Sequence, residues 1–141
     1  MQKGIKEFQK LLKEQLDFAA QESNKRVASR LIQKSPVAEG EYVSEWEVGL
    51  NGFPGDQQRG PDKSKTNTRR RLQQPTQAIK FGQDTFYANH DEVARRIEFG
   101  YSGKAPQGVI RVTARAWKRI AKGVARAVTA KAKKRYYETK V

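Results

Sequence analysis

Two apolar stripes at helical spacing, one near each end of the chain, limit what this sequence can fold into. Ile5, Phe8, Leu12, Leu16 and Ala19 recur every three or four residues, and Val27 and Leu31 continue the row. That spacing predicts a helix over 4–34, stopped by Pro36 just beyond it. The second row is Ala114, Trp117, Ala121, Val124 and Val128. It predicts a helix over 112–136, with Trp117 anchored in the core rather than serving as a stacking platform for bases. Two such helices need an apolar surface on which to lay their stripes.

The middle of the chain supplies one. Over 42–50 the residues alternate: Tyr42, Ser44, Trp46, Val48 and Leu50 share one face of a predicted strand, and Glu41, Glu45 and Glu47 take the other. Residues 51–77 then lose all periodicity to Gly52, Pro54, Gly55, Gly60, Pro61 and Pro75, with Phe53 and Leu72 the only large apolar residues. A polar segment of that length is either disordered or a functional excursion, an extended basic loop or arm. Residues 78–81 and 85–88 read as a hairpin, and 91–99 as a short helix with Asn89 as its N-cap, His90 in its first turn and Gly100 as its stop. The expected fold is α+β: a small antiparallel sheet packed against a long N-terminal and a long C-terminal helix, within one domain of 141 residues.

Several chemistries drop out on composition. There is no Cys and His90 is the lone His, so disulfides, thiolate sites, a Cys nucleophile and a histidine zinc cage are excluded. No apolar run reaches the length of a membrane span or of a signal-peptide core, so a soluble protein of a reducing compartment is expected, with no membrane partner. Gly60-Pro61-Asp62-Lys63-Ser64 lacks the spacing of a phosphate-binding loop. Glu45 and Glu47, two apart on a strand, would stand roughly 6–7 Å apart, a separation at which a glycosidase can be argued. No cleft or desolvated acid accompanies them in the sequence, so a solvated face or a subunit contact is the better reading. Nothing asks for a cofactor.

The charge is segregated. The net +14 comes from 29 Lys and Arg against 15 Asp and Glu. Residues 35–58 hold five acids and no base, residues 59–71 six bases and one acid, and residues 111–141 eleven bases and one acid. Such a layout suits a surface facing a polyanion, or identical subunits docking acidic face to basic face.

The order of motifs is also specific. Ser35-Pro36-Val37-Ala38-Glu39-Gly40, followed by Tyr42, Ser44 and Trp46, resembles the Pro-Val-Asp-Thr-Gly…Ser-Trp stretch of a tailed-phage neck and tail-completion family. Tyr87-Ala88, then Arg96-Ile97-Glu98-Phe99-Gly100, then Ala105-Pro106-Gln107-Gly108 resembles the family's Tyr-Ala…Glu-Phe-Gly…Pro block ahead of its last helix. Ala38-Glu39 departs from the usual Asp-Thr. The resemblance implies a structural protein of the virion, assembled in the host cytoplasm. It would form a homo-oligomeric, sixfold ring in the head–tail connector, between the head-closure or portal-side protein and the tail terminator or tail tube. Genomic DNA would pass through its lumen.

On that basis Glu41, Glu45, Glu47, Glu98, Arg69, Arg70 and Arg71 are the candidate subunit or partner contacts. Glu98, near a helix C-terminus where a negative charge is poorly placed, suggests a cationic partner such as Arg95, Arg111 or an Arg of a neighbouring subunit, with a Glu98 that simply faces water as the alternative on position alone. Lys63, Lys65, Arg115, Lys118, Arg119, Lys122 and Arg126 are the candidates for facing DNA. The alternative is a small sequence-independent nucleic-acid-binding protein using its basic last helix, with Tyr136 and Tyr137 near its end.

Overall fold

The computed structural model describes residues 2–139. Helix α1 (Gln2–Lys34) forms as its spacing predicts. It ends at Ser35, whose hydroxyl donates to the Leu31 carbonyl at 2.7 Å and accepts the Trp46 indole N–H at 2.9 Å. One side chain thus satisfies a helix-end carbonyl and a buried indole together.

The turn that follows depends on Gly40. Its φ is +92°, and a Cβ there would stand 2.4 Å from the Lys63 nitrogen. From this left-handed residue the chain enters α2 (Glu41–Ser44), and strand β1 (Trp46–Leu50) begins only afterwards. The expected strand over 42–50 is therefore shorter by its first half. Tyr42, Val43 and Ser44 are all buried in succession, which a single helical turn sunk in the core allows and a strand with one wet face does not.

Strand β2 (Thr85–Asn89) pairs antiparallel with β1, from Trp46 opposite Asn89 to Leu50 opposite Thr85. The expected hairpin with 78–81 does not form. Instead this stretch lies along α1: the Gln21 amide donates to the Ile79 carbonyl at 3.0 Å, and the Phe81 N–H donates to the Asp17 carboxylate at 2.8 Å. The expected arm is also cut short. Residues 51–65 carry no helix or strand, but α3 (Thr66–Gln73) and a 3-10 helix (Gln74–Ala78) fold onto the body. Leu72 and Thr68 are completely buried there. Leu72, one apolar residue in a polar stretch, is the anchor.

The short helix is α4 (Ala94–Glu98), stopped as expected by Gly100 at φ +88°. The helix starts three residues later than expected, so Asn89 does not cap it: its side chain accepts the Asp91 N–H at 3.0 Å in the turn before, and His90 precedes the helix with its Nε2 3.2 Å from the Pro54 carbonyl. The last helix is two: α5 (Ile110–Arg115) and α6 (Trp117–Thr139), joined at Ala116. The buried row is Val109, Thr113, Ala116 and Val124, offset from the expected one, and Trp117 is 47% exposed rather than in the core. Thr113 sits in this row because its hydroxyl donates to the Val109 carbonyl at 2.8 Å, so its polarity costs little. The side chains of Tyr136 and Tyr137 lie outside the described residues.

The result is an α+β protein, a two-stranded antiparallel sheet with a long helix at each end of the chain. Helix α1 packs on α3, α5 and α6. Its second half carries Ala28, Leu31 and Ile32 into a core shared with Val43, Trp46 and Leu72. Its first half does not reach that core: Ile5, Phe8, Leu11 and Leu12 are exposed, Phe8 by 66%.

Candidate docking surfaces

The acidic and basic residues singled out in the sequence divide into those that the fold consumes and those that it leaves outside. Glu47 is consumed. It is buried, pairs with Arg59 at 2.9 Å and lies 3.9 Å from Arg71. Glu45 accepts the Arg59 N–H at 3.3 Å, and Glu41 alone of the three is fully exposed. The three carboxylates therefore do not form one solvated strand face, because Glu41 belongs to α2 and the loop 51–65 crosses over the other two.

Arg71 is likewise internal. Its guanidinium donates to the Ser44 carbonyl at 2.6 Å and the Trp46 carbonyl at 3.0 Å, which fastens α3 to the start of β1. Lys65 ends at the C-terminus of α1, where its ammonium donates to the carbonyls of Ile32 at 2.9 Å and Ser35 at 3.0 Å. A cation there meets both the unpaired carbonyls and the negative end of the helix dipole. Burial, with the Arg69 charge adding to it, pulls that ammonium below the ordinary lysine value. Lys65 and Arg71 are thus fold-holding residues, not the DNA-facing and partner-facing ones that the sequence pointed to.

Asp62 completes this corner. Burial would raise its carboxyl, but the Thr68 N–H donating at 2.7 Å, the Ser64 hydroxyl and the charge of Arg71 outweigh that and hold it below the usual range. The bond to Thr68 caps α3, a role that sequence spacing does not announce because Asp62 stands four residues before the helix.

Glu98 finds its cation within the chain. Its carboxylate accepts the N–H groups of Val109, Ile110 and Arg111 at 2.8–2.9 Å and pairs with the Arg111 side chain at 3.1 Å. The Arg111 guanidinium also donates to the Glu98 carbonyl. A negative charge misplaced at the end of α4 is thereby well placed at the start of α5. Burial would raise this carboxyl, and the three N–H groups with Arg111 lower it below the ordinary value. Gly108 makes the clasp possible: its φ is +82°, and a Cβ would stand 2.6 Å from the Glu98 Oε1. Glu98 is accordingly an internal cap, and no subunit contact is needed to satisfy it.

What remains outside is of two kinds. Basic residues are exposed on α3 (Arg69, Arg70), in the loop before it (Lys63), and along α5 and α6 (Arg115, Lys118, Arg119, Lys122, Arg126). Apolar residues are exposed at the first half of α1 and around Phe99, Tyr101, Ile110 and Trp117.

Two concave surfaces accompany them. One, of about 390 Å³, is an apolar groove between Val27, Tyr87, Ile110 and Trp117. The other, of about 670 Å³, lies between the 36–42 turn, the start of α4 and the 102–104 loop, and carries the carboxylates of Glu39, Glu41, Asp91 and Glu92 against the single cation Lys104. Asp91 and Glu92 escaped the sequence reading because residues 72–110 balance in charge, so only the fold shows that their two acids join those of the 36–42 turn. Among the described residues no cluster of His, Asp and Glu could hold a metal, and no helix is long and apolar enough to cross a membrane.

No known protein family, curated protein or solved structure matches this chain.

Proposed function

We propose that this protein is a non-enzymatic structural subunit of a tailed-phage virion, forming a homo-oligomeric ring in the head–tail connector between the portal or head-closure side and the tail. The observation that carries this reading is the first half of α1, a projecting helix with Ile5, Phe8 and Leu11 each more than half exposed. An apolar stripe left in water on a helix marks a place where another surface lies. The residues that carry the resemblance stand at corners of the fold. Ser35 and Trp46 join α1 to β1, Tyr42 stacks edge-on to Trp46 with ring centroids 6.0 Å apart, and Glu98 joins α4 to α5. Within the ring, the exposed cations of α5 and α6 would tolerate or guide DNA through sequence-independent phosphate contacts.

Those same cations favour the second reading, a small sequence-independent nucleic-acid-binding protein. Light scattering separates the two, with the protein alone and mixed with head-closure and tail-terminator proteins, at low and high salt, without DNA. Discrete ring-sized species are the expected result. A monomer that ignores both partners, yet binds DNA with an affinity falling steeply as salt rises, overturns the connector reading in favour of the second.

A further inference from the structure

The exposed stripe and the acidic cleft stand at opposite ends of α1. From Phe8 to Lys34 the helix runs 26 residues, about 40 Å at 1.5 Å per residue, and the cleft opens directly beyond it at Pro36 and Val37. One copy therefore cannot place its own stripe in its own cleft. The two are nevertheless complementary. Ile5, Phe8 and Leu12 lie within about 60° on the helix surface; Lys13 and Lys6 stand roughly 110–130° round from the middle of that stripe on one side and Glu7 about as far on the other, and residues 3–14 carry four lysines against two glutamates. The cleft is lined by apolar side chains that include Val37, Val93 and Ile97, and by Glu39, Glu41, Asp91 and Glu92 against Lys104.

From this match we infer that the first half of α1 of one copy docks in the acidic cleft of the next, apolar stripe on apolar lining and lysines beside carboxylates. The inference rests on the ring reading and names its subunit contact. Because the two surfaces differ and lie at opposite ends of the molecule, the contact is heterologous, the kind that closes into a ring when the rotation between copies allows. The apolar area holds the copies together, and the exposed lysine–carboxylate pairs orient them and speed their encounter more than they tighten the contact.

Two complementary defects test this on the full chain. Phe8→Asp spoils the stripe and leaves the cleft intact. Glu39→Lys with Glu92→Lys spoils the cleft and leaves the stripe intact, and both carboxylates are exposed, so the fold is retained. Circular dichroism confirms folding, and light scattering gives the mass. Each variant alone is expected to be monomeric at concentrations where the wild type assembles. An equimolar mixture is expected to give a dimer that grows no further, since its free ends carry one ruined stripe and one ruined cleft. Adding Lys6→Glu and Lys13→Glu to a wild-type cleft should block assembly, and mixing that variant with the cleft variant should restore pairing.

The chain has no cysteine, so Phe8→Cys and Val93→Cys give a single designed disulfide between copies, and oxidation of their mixture should yield that heterodimer. Wild-type assembly that survives both defects, with no link between positions 8 and 93, overturns this contact and leaves the ring reading standing. A wild type that stays monomeric with and without tail partners, and gives no link, overturns both.

Discussion

Arg70 and Arg71 are neighbours in sequence with opposite fates. Arg71 points into the body, holding two backbone carbonyls and lying near Glu47, while Arg70 faces water on the other side of α3. The same division runs through the whole molecule. Between residues 35 and 111 several charges join elements, Asp62 on α3, Lys65 on α1 and Glu98 on α5, while others such as Glu39, Lys63 and Glu92 stay exposed. At the first half of α1 and along α6 they are left outside, together with large apolar side chains at the first. Much of the middle is held together by its own charged side chains, whereas the first half of α1 leaves Ile5, Phe8 and Leu11 in water.

The comparison can be broken most severely in the core of α3. Leu72→Ala is expected to cost about 3 kcal/mol of unfolding free energy in denaturant melts, as a completely buried leucine does, whereas Leu11→Ala should cost less than about 0.5 kcal/mol in the monomer. Arg71→Ala should follow at about 2 kcal/mol, because it strips two carbonyls of a charged donor, with Arg70→Ala near zero as its control.

Glu98→Gln should cost about 1 kcal/mol at neutral pH. Its carboxyl, like that of Asp62, is held below its unfolded value, so each adds stability that is fully present above the ordinary carboxylate range and lost as pH falls through the folded pKa. Wild-type unfolding free energy should therefore be level above about pH 5 and decline below pH 4. The decline should be shallower in Glu98→Gln, and an unchanged slope would remove Glu98 from the account. The smallest effect on folding is expected at the tip: Ile5→Ser should leave the thermal midpoint of the monomer within about 2 °C while lowering the assembled fraction in sedimentation.

How far the sequence disclosed this division differs by element. The two long helices were legible because their stripes repeat over many turns, and β2 and the stop at Gly100 because strand and left-handed glycine carry local signals. The first half of the expected strand over 42–50 misled because Tyr42, Ser44 and Trp46 alternate in a way that one helical turn followed by a strand also produces. Leu72 was legible as an apolar residue, but a single anchor carries no period. Trp117 misled because a large aromatic on a stripe outweighs Thr113, whose hydroxyl is satisfied by its own helix. At the candidate surfaces, net charge by segment located the charged stretches, yet it could not separate Arg70 from Arg71 or bring Glu92 into one cleft with Glu39. Those distinctions arise from long-range packing.

Amide hydrogen exchange of the full chain, at a dilution where it is monomeric and at a concentration where it is assembled, tests the division most directly. Residues 66–73 should be protected in both states, and residues 3–14 should exchange fast in the monomer and become protected on assembly. Residues 3–14 that stay fast in the assembled protein, or that are already protected in the monomer, would contradict the account.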